Sequence, residues 1–145
     1  MLIDIGGIFM KAAKKRQSAN ESSRLRMGKQ ILTGTIVGTI LFFLMILTFS
    51  LLVIKSDISD SMQNILSFLS AIVSSFIGGY IASVKLKSKG LMMGLMSAFA
   101  QAIIVSIVLL AVLQDVGLKT LLMLLVMLIG GAVGGIAAVN KKKKR

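Results

Sequence analysis

The sequence predicts an all-α integral membrane protein with four transmembrane helices, and three observations carry that reading. Apolar residues make up 56% of the 145-residue chain, more than the roughly 45–50% usual for soluble domains. Four apolar runs, near Ile31–Ile54, Met62–Val84, Leu91–Leu113 and Leu118–Val139, each exceed the length needed to cross a bilayer, about 20 residues. Charge is confined to the segments between and beyond these runs, Lys119 at the margin of the fourth being the one exception. That partition is informative because an Asp, Lys or Arg at a helix centre costs about 2.5–3.5 kcal/mol on insertion.

Residues 1–30 read as a basic tail ahead of the membrane domain at 31–140, and residues 141–145 as a second basic tail. In the first tail Leu2, Ile3, Ile5, Ile8 and Phe9 suit the apolar side of a short surface helix. Lys11, Lys14, Lys15 and Arg16 would then reach lipid phosphates. Gly6-Gly7 favours an unstructured leader instead. Met27, just ahead of GKQILTG, would also serve as a start. The charge follows the first apolar residues instead of preceding them, an order unlike a cleaved signal peptide. The first span is therefore expected to act as a retained signal anchor.

The basic residues set the orientation. Seven Lys and Arg lie in the first tail, three in the 2–3 turn (Lys85, Lys87, Lys89) and five at the end (Lys141, Lys142, Lys143, Lys144, Arg145). Only Lys55 and Lys119 lie on the other side. The positive-inside bias places both tails and the 2–3 turn in the cytoplasm, hence a multi-pass protein of the cell membrane. The same lysines and Arg145 are expected to meet anionic lipid head groups. Nucleic acid is not expected, because the basic tail has no interleaved aromatics for base stacking.

A shift of 56 residues lays 29–84 on 85–140 without a gap. Gly34 and Gly38 fall on Gly90 and Gly94, and Gly78 and Gly79 on Gly134 and Gly135. Apolar coincidences mean little at this composition, but all four glycines of the first unit find a mate. Two parallel-repeated helical hairpins are expected, related by an axis along the membrane normal.

Small residues recur every fourth position, which keeps them on one helix face. On the second span the rows are Ser67-Ala71-Ser75-Gly79-Ser83 and Ser70-Ser74-Gly78-Ala82. The third carries Gly90-Gly94-Ala98-Ala102-Ser106, the fourth Gly130 and Gly134 beside Gly131 and Gly135, and the first Gly34 and Gly38. Lipid supplies no hydrophobic drive between helices, so such faces gain their contact by letting backbones approach. Gly38, Gly79, Gly94 and Gly134 would all lie about 7–14 Å inside the basic boundary. Bulk collects at the other end, in Phe42, Phe43, Leu44, Met45 and Leu121 to Leu128. A bundle tight in its inner half and looser in its outer half is expected.

Gln101 is the amide deep within a span. It suits an interhelical hydrogen bond to Ser70, Ser74 or a carbonyl, worth about 0.6 kcal/mol. Its sharper reading is a polar point on a substrate path. The chain has no Cys and no His, which excludes disulfides, thiolate and imidazole metal sites and His-based proton transfer. No catalytic, cofactor or metal residue is expected, since a membrane Ser without a base is not activated.

The stretch FIGGYIASVKLKSKGLMMGL at 76–95 and GGAVGGIAAVN at 130–140 resemble small four-span membrane proteins of Gram-positive bacteria, sometimes called YrzE-like. The resemblance covers about Lys29 to Asn140 and implies no catalytic or binding residue. The long basic tail departs from the shorter leader of that family. The reading that fits is a non-enzymatic membrane protein acting through helix packing with itself or a larger membrane partner. The alternatives are a small transporter or channel subunit and a holin-like pore former. The spans carry no carboxylate for proton coupling.

Overall fold

The computed structural model describes residues 2–85, 89–113 and 117–143. Four helices account for nearly all of them: α1 Leu2–Ser56, α2 Asp60–Ser83, α3 Gly90–Leu113 and α4 Leu118–Lys143. Each includes a stretch long and apolar enough to cross a membrane. Without proline no interior N–H is missing, so each helix runs unbroken through its apolar run.

The first tail departs from both expectations. It is neither a separate surface helix nor an unstructured leader, because α1 continues through it as one 55-residue helix. Gly6, Gly7 and Gly28 lie within it, each with open space where a Cβ would be. Nothing in Lys29–Ile31 breaks the hydrogen-bond ladder at the expected boundary of the tail.

Two short connections set the hairpins. Asp57 to Ser59 join α1 to α2, and Asp57 has φ 44°. Lys89 precedes α3 with φ 79°, and its carbonyl accepts from Met93 N at 3.1 Å. A left-handed residue with a Cβ costs about 1–2 kcal/mol. Lys89→Gly is therefore expected to raise bundle stability by about 1 kcal/mol. Lys89→Ala, which removes the same charge but keeps the Cβ, is not. Thermal aggregation midpoints in mild detergent check this, and equal midpoints for the two variants would contradict it.

The helices pack in five pairs: α1 with α2, α3 with α4, α2 with α4, α2 with α3, and α1 with α3. Among the described residues α1 and α4 make no close backbone approach. An axis along the membrane normal would make the α2–α3 and α1–α4 pairs equivalent, so the axis expected from the repeat is not present. The two hairpins instead lie side by side, α1 against α3 and α2 against α4.

The glycines show why. Gly34 and Gly38 pack on Gly78 and Ala82 in the first hairpin, and Gly90 and Gly94 on Gly135, Val139 and Gly131 in the second. Gly79 faces the Gly131 carbonyl of α4, whereas its repeat mate Gly135 faces Gly90 and Gly94 of α3. Gly78 faces α1, whereas its mate Gly134 meets the Phe76 carbonyl of α2. The second helix of each hairpin thus turns a different member of its glycine pair inward.

At the end away from the basic residues the filling changes to Phe42, Val105 and Met127 around Ala71, with Ile46, Leu109, Met123 and Leu124 against them. There α1 and α2 leave a crevice of about 220 Å³ lined by Ile46, Phe49, Ser50, Gln63, Ser67 and Ser70 among others.

Candidate functional site

Two three-helix junctions organise the interior. In the first, α1, α2 and α3 meet at Gly38, Gly78 and Gln101. A Cβ at Gly38 would come within 2.6 Å of Gln101 Oε1, and one at Gly78 within 3.2 Å of the same atom. The carboxamide occupies the room that two absent side chains leave. In the second, α2, α3 and α4 meet at Gly131, whose carbonyl oxygen would collide with a Cβ added at either Gly79 or Gly94. A Cβ on Gly131 itself would strike the Ala98 methyl. Gly130 meets Ser75 and Ile72. All ten glycines of the spans are thus used against other helices of the same chain.

Around the first junction the interior is polar. Thr35, Ser70, Ser74, Ser75, Ser83, Ser97 and Gln101 are all buried. The hydroxyls mostly donate to their own helices: Thr35 Oγ1 to Ile31 O at 2.8 Å, Ser70 Oγ to Leu66 O at 2.8 Å, and Ser74 Oγ to Ala71 O at 3.2 Å. Such bonds let a hydroxyl sit in an apolar medium without a distant partner. Ser83 is different, since its Oγ donates to Gly90 O at 3.0 Å and ties the end of α2 to the start of α3. Thr35 Oγ1 also approaches Ser97 Oγ at 3.5 Å.

Gln101 donates from Nε2 to Ser74 Oγ at 3.3 Å. Its Oε1 is buried without a partner, as is Thr39 Oγ1. An unsatisfied buried acceptor costs about 1–3 kcal/mol, so Gln101 is held here at some expense to stability. Among the described residues no group of three His, Cys, Asp or Glu could hold a metal.

At the basic end Lys85 and Lys89 are exposed, and α4 continues to Lys143. Lys87, Lys144 and Arg145 lie outside the described residues. The sequence marks Gln101 and the small-residue rows, Gly131 and Ser83 among them, but not the part that two of these residues play. One is Gly131, on which three helices converge. The other is Ser83, the tie between hairpins. Both depend on which helix lies opposite, and periodicity carries no such signal.

A bundle of four apolar helices sealed by glycine contacts defines the class, a multi-pass membrane protein. The family described as Protein of unknown function (DUF3792) matches residues 27–138, and the chain belongs to it. The match begins at Met27, so most of the extended part of α1 lies before it. No curated protein and no solved structure matches the chain.

Proposed function

We propose that the chain is a non-enzymatic protein of the cell membrane, with both tails cytoplasmic, that works by contact. Its basic end meets anionic head groups, and the extension of α1 meets a second copy or a larger membrane protein. The observation behind this reading is the extension itself. Asp4 to Arg26 are all exposed, and a largely polar helix that packs on nothing is marginal in water. A partner surface would supply the missing stabilisation. The span glycines do not offer that surface, because their faces are occupied within the chain.

A transport path through one chain is the competing reading. It would have to pass Phe42, Gln101, Val105 and Met127, none more than 2% exposed. Flux in liposomes separates the two.

The absence of cysteine gives a clean background for the test. Phe9→Cys and Leu25→Cys are expected to crosslink to a protein in native membranes, and Ile129→Cys on the outer face of α4 is not. Crosslinks from Ile129→Cys alone would remove the role of the extension. For orientation, an impermeant maleimide added to intact cells should label Ile58→Cys and not Leu25→Cys. The reverse pattern would invert the topology.

A further inference from the structure

We propose that the basic end holds a binding site for a single phosphate group, built where the α1 extension passes the 2–3 turn. Arg26 and Lys29 of α1 share a concave surface with Lys85, which follows α2. Ser22, Gln30 and Thr33 line the same surface. The sequence separates Lys29 from Lys85 by 56 residues; the packing of Gly34 on Ala82 brings them together, and the unbroken α1 adds Arg26 to the same cleft.

The electrostatics select an anion. Among the described residues three cations line the cleft and no carboxylate does. The acidic residue of this part of α1, Glu21, lines two other grooves of the helix, both shared with Arg24. Two of the lining hydroxyls are engaged within α1, since Thr33 Oγ1 donates to Lys29 O at 2.8 Å and Ser22 Oγ to Ala19 O at 3.0 Å. The charge for recognition comes from the guanidinium and the two ammonium groups, with Ser23 and Gln30 lining the same surface. Arg26 presents a planar fork that suits two phosphate oxygens, and the lysines act as point charges.

The depth suits a lipid. Lys29 and Lys85 stand at the edge of the apolar spans, and Arg26 is about 4.5 Å further along the axis. A phosphodiester of an anionic phospholipid would reach this level with its chains still in the bilayer. Inorganic phosphate offers the same chemistry from solution. The site rests on the reading that the basic end meets an anionic surface, but it adds a claim of position that general charge attraction does not make.

The test compares thermal stability of the full chain in mild detergent with added phosphatidylglycerol, phosphatidylcholine or inorganic phosphate. Phosphatidylglycerol is expected to raise the midpoint and phosphatidylcholine not. The triple variant Arg26→Gln, Lys29→Gln, Lys85→Gln should lose more than half of that rise. The triple variant Lys14→Gln, Arg16→Gln, Arg24→Gln, equal in charge lost, should keep it. Midpoints in phosphatidylcholine alone show whether either variant is damaged. A rise with inorganic phosphate that only the first variant loses supports the site and assigns it to a soluble anion. No difference between the two lipids for the unaltered chain would overturn the anionic-surface reading itself. A rise lost equally by both variants would leave that reading standing and overturn the site.

Discussion

Gly131→Ala is expected to destabilise the bundle by about 1–3 kcal/mol, the usual cost of overpacking, and Gly131→Leu to abolish the folded protein. The Ala98 methyl stands where the new Cβ must go, and Ala98 has no longer side chain that could turn aside. Gly79→Leu and Gly134→Leu should behave similarly, because each would drive a side chain into the carbonyl of a neighbouring helix. Backbone in a packed helix cannot rotate out of the way as a flexible side chain does. Gly28→Ala is the control. It has open space, and in a helix Ala is favoured over Gly by about 0.8–1.0 kcal/mol. Phe43→Leu, at a position 36% exposed, should also be tolerated. Thermal aggregation in mild detergent and protein level in the membrane read the series. A Gly131→Ala variant that melts with the unaltered chain would refute the second junction.

Gln101→Glu is expected to be the most damaging single change of one functional group. It exchanges an amide for a carboxyl at a site with no exposure and no cation beside it. A charge at membrane depth costs about 2.5–3.5 kcal/mol on the insertion scale, and the side chain's hydrogen-bond partner there is the neutral Ser74 hydroxyl. Gln101→Met should be within about 1 kcal/mol of the original or more stable. It keeps the unbranched shape between Gly38 and Gly78 and removes an acceptor that has no partner. Membrane abundance and melting midpoint check both. The Met variant also separates structure from function, since a stable but inactive Gln101→Met in a cell-based assay would assign the amide a role beyond packing.

The four spans were legible because charge and apolar runs exclude one another along the chain, and their ends fall within a few residues of α2, α3 and α4. The start of α1 was not. The sequence changes there from apolar to polar, a shift that marks a membrane boundary but leaves helix propensity intact through residues such as Lys14, Lys15, Arg24 and Arg26. The glycines that match on a shift of 56 were legible, but not the helices they face. A glycine at position 79 and one at position 135 look alike in sequence, and only the helix across the gap distinguishes them. In the same way Lys29 and Lys85 appear as repeat mates on a shift of 56, whereas in the fold they are neighbours.

Side-by-side stacking has an assembly consequence that an axis of symmetry would not have. A rotation closes on itself, but a lateral step can in principle be repeated, each hairpin offering its successor the face it used on its predecessor. Open-ended contacts of that kind build chains of subunits. Here the step is taken once. The inward turn of Gly131 and Gly135 toward α3 leaves α4 with Ile129, Val133 and Ile136 on its outside, each between 45% and 63% exposed. These bulky side chains keep another backbone at a distance, much as the terminal units of a solenoid stop its growth. The one-residue difference between the two glycine pairs thus leaves α4 with a bulky outer face in place of the small-residue face that α2 turns toward it.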